Sequence, residues 1–499
     1  MAGAADVRAT PPPTVVWLRR DLRLADNPAL AAAVARGGPV IPVVLDPAVA
    51  RGEDAGWELG GASRVWLHHS LAHLDQSLRA RGSRLVLRGR PSETARQALL
   101  ALLDETGATA VMWNRLYEPA AVARDAPLKA ELRERGVAVQ TFNAALLFEP
   151  CGGGVTTKEG RPFQVFTPFW RACLATGEPA RPASASGDVL PAPARWPVSL
   201  RLQDLSLLPA FDWAAGIRAE WTPGEAGAAA RLDALGADVV ATYRTGRDRP
   251  ALDGTSRLSP HLHFGEIGPR QIWHALRDRA GAGDRRGVDL GVGIDSYLRE
   301  LGWREFAHHL LFHLPATINR PLREPFQRFP WAPSRATLRV WQRGQTGYPL
   351  VDAGMRQLWR TGWMHNRVRM IVASFLVKDL LQPWQAGARW FWDTLVDADL
   401  AQNTLGWQWS AGSGADAAPY FRVFNPVSQG RRFDPDGDYV RRWVPELGGL
   451  PGATIHAPWE LPTAELARAG VVLGRTYPER VVDHAFARER ALAAYASIR

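Results

Sequence analysis

Along residues 14–141 the apolar positions alternate between two periods. Short, nearly unbroken apolar runs at Thr14–Leu18, Val40–Leu45, Arg84–Arg88, Thr109–Trp113 and Val137–Thr141 have the length of buried strands. Between several of them, Ala62–Arg81, Ser92–Thr106 and Ala120–Arg135 repeat apolar residues at helical spacing. Strands alternating with helices over short connections predict an α/β domain built on a doubly wound parallel sheet. The first strand runs into R-R-D-L-R-L-A-D-N-P, so it carries neither a glycine-rich dinucleotide turn nor a P-loop.

The pattern changes twice further on. From about 145 to 225 the chain is rich in Pro, Gly, Ala and Ser and has little helical or strand period of its own, as expected of a long connector. Beyond 225 helical spacing dominates, in Gly224–Ala241, Gly268–Arg279, Leu290–Leu314, Thr346–Arg360, Asn366–Leu381 and Ala386–Asp397. No internal repeat is evident. The expected organisation is a disordered tail (1–13), an α/β domain (14–145), a connector (146–225) and a larger all-α domain (226–499).

Composition narrows the function classes. In 499 residues, 46% are hydrophobic and 22% charged, ordinary values for a globular protein of two or three domains. No apolar run is long enough to span a membrane, and the N-terminus lacks the features of a signal peptide. Cys151 and Cys173 are too few for a disulfide framework and have no metal-site spacing, which fits a reducing cytoplasm. A net charge of +10 favours a polyanionic partner. The basic residues are nearly all arginine, however, with only Lys129, Lys158 and Lys378 as lysines, so coding bias explains basicity equally well. Twenty-one tryptophans against eight tyrosines are harder to attribute to bias, since a buried indole N–H needs a partner.

Three segments of the helical half depart from ordinary amphipathic patterning. Gly254–Pro260 (G-T-S-R-L-S-P) offers hydroxyls and backbone N–H groups ahead of a helix, suited either to phosphate oxygens or to plain N-capping. Thr346–Leu358 and Gly362–Trp384 place Arg367, Arg369 and Lys378 among apolar residues, where a buried cation needs a partner. Asp397–Pro426 opens with D-A-D-L-A-Q-N and continues into W-Q-W. Its aspartates could supply those partners, and without nearby His or Cys they make a poor metal site.

These stretches, with the N-terminal V-V-W-L-R-R-D-L-R-L-A-D-N-P-A-L, closely resemble the DNA photolyase/cryptochrome family over essentially the whole chain beyond residue 13. The resemblance implies a helical domain that holds FAD. Tyr243 and Thr255, Ser256, Arg257, Leu258 and Ser259 match the positions that grip the flavin phosphates and ribityl chain. Asp397 and Asp399 match an acidic pair around the cofactor, Arg369 the partner of the first, and Asn403 the residue facing the flavin N5. Trp407, Trp384 and Trp331 match an electron-transfer triad running from flavin to surface. Trp303 and Trp409 match aromatic walls for a flipped pyrimidine dimer, and Glu300, Asn366 and Met370 its polar and apolar lining. Glu300 and Asn403 join the triad as catalytic candidates. Arg247, Arg304, Arg367 and Gln429 are candidates for phosphate and groove contacts.

Within the family, the resemblance implies a monomer that uses light and reduced FAD to split cyclobutane dimers in UV-damaged DNA. Both pocket tryptophans are present, position 403 is Asn rather than the Asp of plant-type photoreceptors, and no long tail follows the last helical segment, Pro478–Ile498. The (6-4) branch needs a histidine pair, and here His365 is accompanied by Met370. Relatives also hold an antenna, a folate or deazaflavin. Asn114–Asp125 corresponds to a folate-contacting region, but Ala121 stands where such relatives carry glutamate, with Glu118 nearby. The alternatives are a blue-light photoreceptor without repair activity and, more remotely, a non-catalytic single-strand DNA-binding protein.

Overall fold

The computed structural model describes residues 11–50, 56–90, 92–183, 187, 189–282, 290–416 and 421–499. The expected disordered tail therefore lies, for residues 1–10, outside the described residues. Residues 11–13 are tied down: the Pro13 carbonyl accepts from Thr109 N at 3.2 Å and the Pro12 carbonyl from Arg36 at 3.0 Å.

Five strands, β1 (Thr14–Trp17), β2 (Val40–Leu45), β3 (Val86–Arg88), β4 (Ala110–Asn114) and β5 (Ala138–Phe142), form one parallel sheet in the order β3-β2-β1-β4-β5. Its centre is in register from Val15 to Ile41 on one side and to Val111 on the other, and β1, β2 and β4 are buried throughout. Helices α1 (Pro28–Arg36), α2 (Gly61–Arg79), α3 (Ala95–Thr106) and α4 (Pro119–Glu134) connect the strands. α1 joins the first two strands of the sheet. It starts because Asn27 caps the Leu30 N–H and Pro28 fits the first turn.

The connector is more ordered than its composition suggests. It contains α5 (Phe166–Ala175) and α6 (Ala215–Glu220). α5 buries Phe166, Phe169, Trp170 and Cys173, one helical face, against the all-α half. That half follows as α7 (Glu225–Ala234), α8 (Ala237–Gly246), α9 (Ser259–Phe264), α10 (Pro269–Ala282), α11 (Gly291–His313), α12 (Arg335–Gln342), α13 (Pro349–Thr361), α14 (Asn366–Ser374), α15 (Trp384–Thr394), α16 (Leu400–Ala411) and α17 (Pro426–Phe433). Short helices and the terminal His484–Ala496 complete it. The single helix expected at Gly224–Ala241 is two helices, broken at Leu235–Gly236. The one expected at Asn366–Leu381 leaves α-helical geometry at Ser374 and finishes as a π-helical turn, Phe375–Asp379. Among the described residues no helix is long and apolar enough to cross a membrane.

The two halves are joined through the segment after β1. Arg23, 1% exposed, donates to the carbonyls of Gly265 at 2.9 Å, Asp26 at 2.8 Å and Ala144 at 3.0 Å. Glu225 accepts from Leu24 N and Ala25 N, and Trp66 of α2 donates to Glu266 at 3.0 Å. The R-R-D-L-R-L-A-D-N-P stretch thus serves as a domain joint, with Asp21 and Asn27 both bonded to Asn114 at the end of β4.

A second tie carries a titratable group. The Glu305 carboxylate on α11 accepts from Leu147 N at 2.9 Å and Phe148 N at 3.0 Å, anchoring the start of the connector. Burial pushes its pKa up from 4.5 to about 7, against the opposing pull of Arg304 and the two N–H groups. A carboxyl whose folded pKa is raised is protonated more readily in the folded state, so its contribution to stability is lost as pH climbs from about 4.5 to about 7. Glu305→Gln keeps an acceptor for both amides and removes the titration. Its melting temperature relative to wild type should rise between pH 5 and pH 8, by the equivalent of about 2 kcal/mol. Parallel thermal-denaturation profiles over that range would show that Glu305 is not the buried acid assigned here.

Candidate functional site

A cavity of about 780 Å³ opens in the helical half, between the end of α8 and one face each of α11, α14, α15 and α16. Helical periodicity explains which side chains reach it. On α11 these are Ser296, Arg299, Glu300 and Trp303, positions i, i+3, i+4 and i+7 of one helical face. On α16 they include Gln402, Asn403, Gly406, Trp407 and Ser410, again one face, with Asp399 as the N-cap accepting from Gln402 N at 2.9 Å. α14 contributes Asn366, Arg367, Arg369 and Met370, and the turn from α15 to α16 contributes Leu395 and Asp397.

The wall is charged at one level and apolar at another. A single Arg369 nitrogen, Nη2, reaches both Asp397 oxygens at 2.8 and 3.1 Å, and its Nε donates to the Met364 carbonyl at 2.7 Å. Asp399 is buried, which opposes its ionisation. His308 and His263, whose ring nitrogens lie 3.5 and 3.7 Å from Oδ2, outweigh this together with Arg304 and hold the carboxyl well below its usual range. Asn403 donates its amide to the Ala388 carbonyl at 3.0 Å, which fixes its orientation at the wall. The Gln402 Nε2 is buried without a protein partner, a donor left over for a ligand. Ala373, Phe391, Leu395 and Trp407 provide flat apolar surface beside these groups.

That donor set fits FAD. The apolar surface suits an aromatic ring, the orphan Gln402 donor and the Asn403 amide suit its heteroatoms, and the ionised Asp399 suits hydroxyl groups. Arg369, Asp397, Asp399, Gln402 and Asn403 would hold it. The expected phosphate loop is beside this cavity, not in its wall. Ser256 accepts from Tyr297 at 2.9 Å, Trp363 donates to Ser259 at 3.3 Å, and buried Leu258 leads into α9. Arg257 has a φ of 54°, pairs with Glu220 at 2.5 Å and lies over Trp221 and Trp363. Tyr243 is buried against Tyr297, with ring centroids 5.0 Å apart. Neither Tyr243 nor Thr255–Ser259 lines the cavity.

Towards the opening the character changes. The Trp303 ring stacks on Phe166 of α5 at 3.8 Å and 7°, a support that sequence reading missed although α5 shows a clear apolar face. Trp409 lines the same cavity, its ring 6.5 Å from Phe424. Glu300 is held by both terminal nitrogens of Arg247, the longer contact being 2.8 Å. Arg367 pairs with Asp248 at 2.7 Å, lies over the Phe433 ring at 4.5 Å and approaches the Met370 sulfur at 3.8 Å. Asp248 and Arg299 also line the cavity and were not singled out from the sequence. Their signal was available only in part, as the helical spacing of Arg299 with Ser296 and Trp303.

Two of the candidate phosphate and groove contacts, Arg304 and Gln429, do not line the cavity. Arg304 is largely buried, donating to the Ala145 carbonyl at 2.6 Å beside Glu305, because it projects round α11 towards the connector. Gln429 sits half-buried on α17 outside the cavity wall. Of the tryptophan series, Trp407 and Trp384 are equally buried and Trp331 is partly exposed. Trp407 lines the cavity, Trp384 is buried in the same core, and Trp331 packs at the core's margin with its ring 4.4 Å from Phe329. α15 and α16 cross so closely that a side chain at Gly387 would collide with the Trp407 ring. Trp407 also meets Phe391 and Trp341 edge-on, at 5.0 and 6.2 Å.

The stretch weighed as a folate contact, Asn114–Asp125, has its polar groups committed internally. Glu118 pairs with Arg20, Asp125 with Arg19 at 2.5 Å, and Asn114 with Asp21 and Asn27. Ala121 is buried.

Residues 14–188 match the family described as DNA photolyase, and residues 297–497 the one described as FAD binding domain of DNA photolyase. A deoxyribodipyrimidine photo-lyase of Agrobacterium fabrum is 51% identical over 488 residues, 98% of this chain and 98% of that one. Cryptochrome-1 of Arabidopsis thaliana is 41% identical over 488 residues, 95% of this chain and 69% of the relative. The crystal structure of a bacterial class III photolyase from Agrobacterium tumefaciens superimposes with a TM-score of 0.91 at 49% identity, covering 99% of both chains.

The buried pair at the cavity wall gives a direct test. Arg369→Gln leaves Asp397 without its cation and should cost about 2 kcal/mol or more in stability, with loss of flavin from the purified protein. Arg369→Lys keeps the charge but not the second donor on the Met364 carbonyl and should fall between. Thermal unfolding and flavin absorbance of the two variants check the order.

Proposed function

Because the chain belongs to the DNA photolyase family, we propose that it is a deoxyribodipyrimidine photo-lyase, a light-dependent enzyme that splits cyclobutane pyrimidine dimers in UV-damaged DNA. The observation that carries this reading is a single cavity whose wall suits FAD and whose opening is lined by Trp303, Trp409 and Glu300. When bound and reduced, FAD supplies the light-driven electron that opens the cyclobutane ring.

The chain's own residues do the rest. Photolyases take their target out of the base stack, and Trp303 and Trp409 offer the flat surfaces to receive it. Stacking of this kind is worth about 1–3 kcal/mol per base. Phe166 behind Trp303 holds that wall rigid, so little order is lost on binding. The Glu300 carboxylate accepts a pyrimidine N–H once Arg247 is drawn away to a phosphate. Met370 and Asn366 complete the lining, and Arg367 contacts the backbone. Asn403, an amide, adds no negative charge beside the isoalloxazine, which favours the reduced anionic ring over what a carboxylate would allow. Trp331, Trp384 and Trp407 carry an electron inward from the margin of the core to the cavity. The proposal includes a monomeric, cytoplasmic protein, in keeping with Cys151 and Cys173 being unpaired.

A photoreceptor would share the cavity and the tryptophan series, and the Arabidopsis relative makes that the relevant alternative. Trp303, Trp409 and Glu300 together at the opening favour repair, because signalling alone has no need of a stacking site for bases. Illumination of the reduced protein with an oligonucleotide carrying one thymine dimer should restore the two thymines in a light-dependent way. Lack of restoration would falsify the enzymatic reading. Trp407→Phe should abolish most photoreduction of the oxidised protein while repair by chemically reduced protein persists. Unchanged photoreduction would remove Trp407 from the proposed electron path.

A further inference from the structure

Five arginines line the cavity, and they are not equivalent. Arg369 is committed to Asp397, Arg247 to Glu300 and Arg367 to Asp248. Arg244, in the last turn of α8, and Arg299 of α11 are exposed. Among the described residues no carboxylate forms an ion pair with either of them. Asp416 also lines the cavity, but it accepts from Phe166 N at 3.4 Å and makes no ion pair with Arg299. A phosphate that reaches Arg244 or Arg299 therefore displaces no carboxylate, whereas one that reaches Arg247 or Arg367 competes with an acid already in place.

Arg299 has a second distinction. Its guanidinium lies over the Phe166 ring, 4.7 Å from the centroid, and the same ring stacks on Trp303 at 3.8 Å and 7°. Arg299 and Trp303 are one turn apart on α11, so a cation and a stacking wall are held together by one ring. Arg244 rests on no ring among the described residues. Building on the repair reading, we propose that Arg299 is a specificity-determining residue, which takes a backbone phosphate beside the dimer once the dimer stacks on Trp303. A flipped dimer draws its own stretch of backbone to the opening. A base against Trp303 then brings the adjoining phosphate to the guanidinium fixed next to that wall. In undamaged DNA the bases stay in the duplex, the backbone stays outside the opening, and Arg299 is not reached. The contact is thus added in the lesion complex alone, with no ion pair to break first. Arg244 meets the phosphates of either DNA and adds affinity without preference.

Equilibrium binding to a duplex with one thymine dimer, and to the same duplex undamaged, tests this. In Arg299→Gln, dimer affinity should fall by about tenfold and undamaged affinity by less than about twofold. The log–log salt slope for the dimer duplex should shrink by about 0.9, and that for the undamaged duplex should not change. Arg299→Lys keeps the charge and should keep the slope. Arg244→Gln should weaken both duplexes by a similar factor. Equal losses for the two duplexes in Arg299→Gln, or no loss, would overturn the assignment. Loss of flavin absorbance from that variant would overturn it too, by placing Arg299 at the cofactor. If Arg299→Gln does not fold, Arg299→Ala is read by the same criteria. A wild-type protein that neither prefers the dimer nor repairs it would instead overturn the repair reading itself.

Discussion

A carboxylate can sit in the wall of an apolar cavity only if a cation or several hydrogen-bond donors accompany it. Asp397 and Asp399 meet that requirement in two different ways, and the arrangement of the helical half follows from it. Asp397 is neutralised by Arg369, whose Nε is in turn fixed on the Met364 carbonyl, so α14 and the α15–α16 turn are locked at one separation. Asp399 accepts from the first turn of α16 and lies 3.5 Å from His308 of α11 and 3.7 Å from His263 of α9. One pair of acids therefore faces four helices around the same space. The cavity is kept open by charge that cannot be released into its interior without a partner.

The same residues connect that space to the sheet domain. His263 belongs to α9, whose C-terminal Gly265 takes the Arg23 guanidinium and whose Phe264 carbonyl accepts from Leu22 N. Arg304, beside His308 on α11, reaches the Ala145 carbonyl at the start of the connector. Movement of the α/β half relative to the cavity would have to break contacts that also position Asp399. The burial of Arg23, with three carbonyls on its donors, makes such movement costly.

How much of this was legible in the sequence depended on contrast. The strands were readable because each is an apolar run between polar segments. The need for a partner for Arg369 was readable because a cation among apolar residues has few alternatives. α1, reading P-A-L-A-A-A-V-A-R, offered little polar contrast, and alanine fits a buried helix without marking a face. α5 did carry a readable face in Phe166, Phe169, Trp170 and Cys173, but the Pro- and Gly-rich composition around it masked the spacing. Arg304 shows the limit of carrying a role over by position. It follows Trp303 immediately, and one residue turns a helix by about 100°, enough to point the two side chains at different neighbours. The pairing of Asp248 with Arg367 spans 119 positions, and nothing local in either segment announces it.

The cavity thus has two kinds of ion pair, and their burial assigns them different work. The difference lies in the acids: Asp397 retains 4% of its side-chain exposure, whereas Glu300 and Asp248 retain 29% and 32%, while the three arginines are alike at 24%, 21% and 23%. A carboxylate as buried as Asp397 is penalised heavily when unpaired, so it keeps its arginine. At the opening water lowers both the attraction and the penalty, so those pairs can dissociate when a competing anion arrives. A site that must hold a cofactor permanently and admit a polyanion reversibly needs both behaviours within one cavity. The gradient of burial from floor to mouth supplies them using the same residue types throughout.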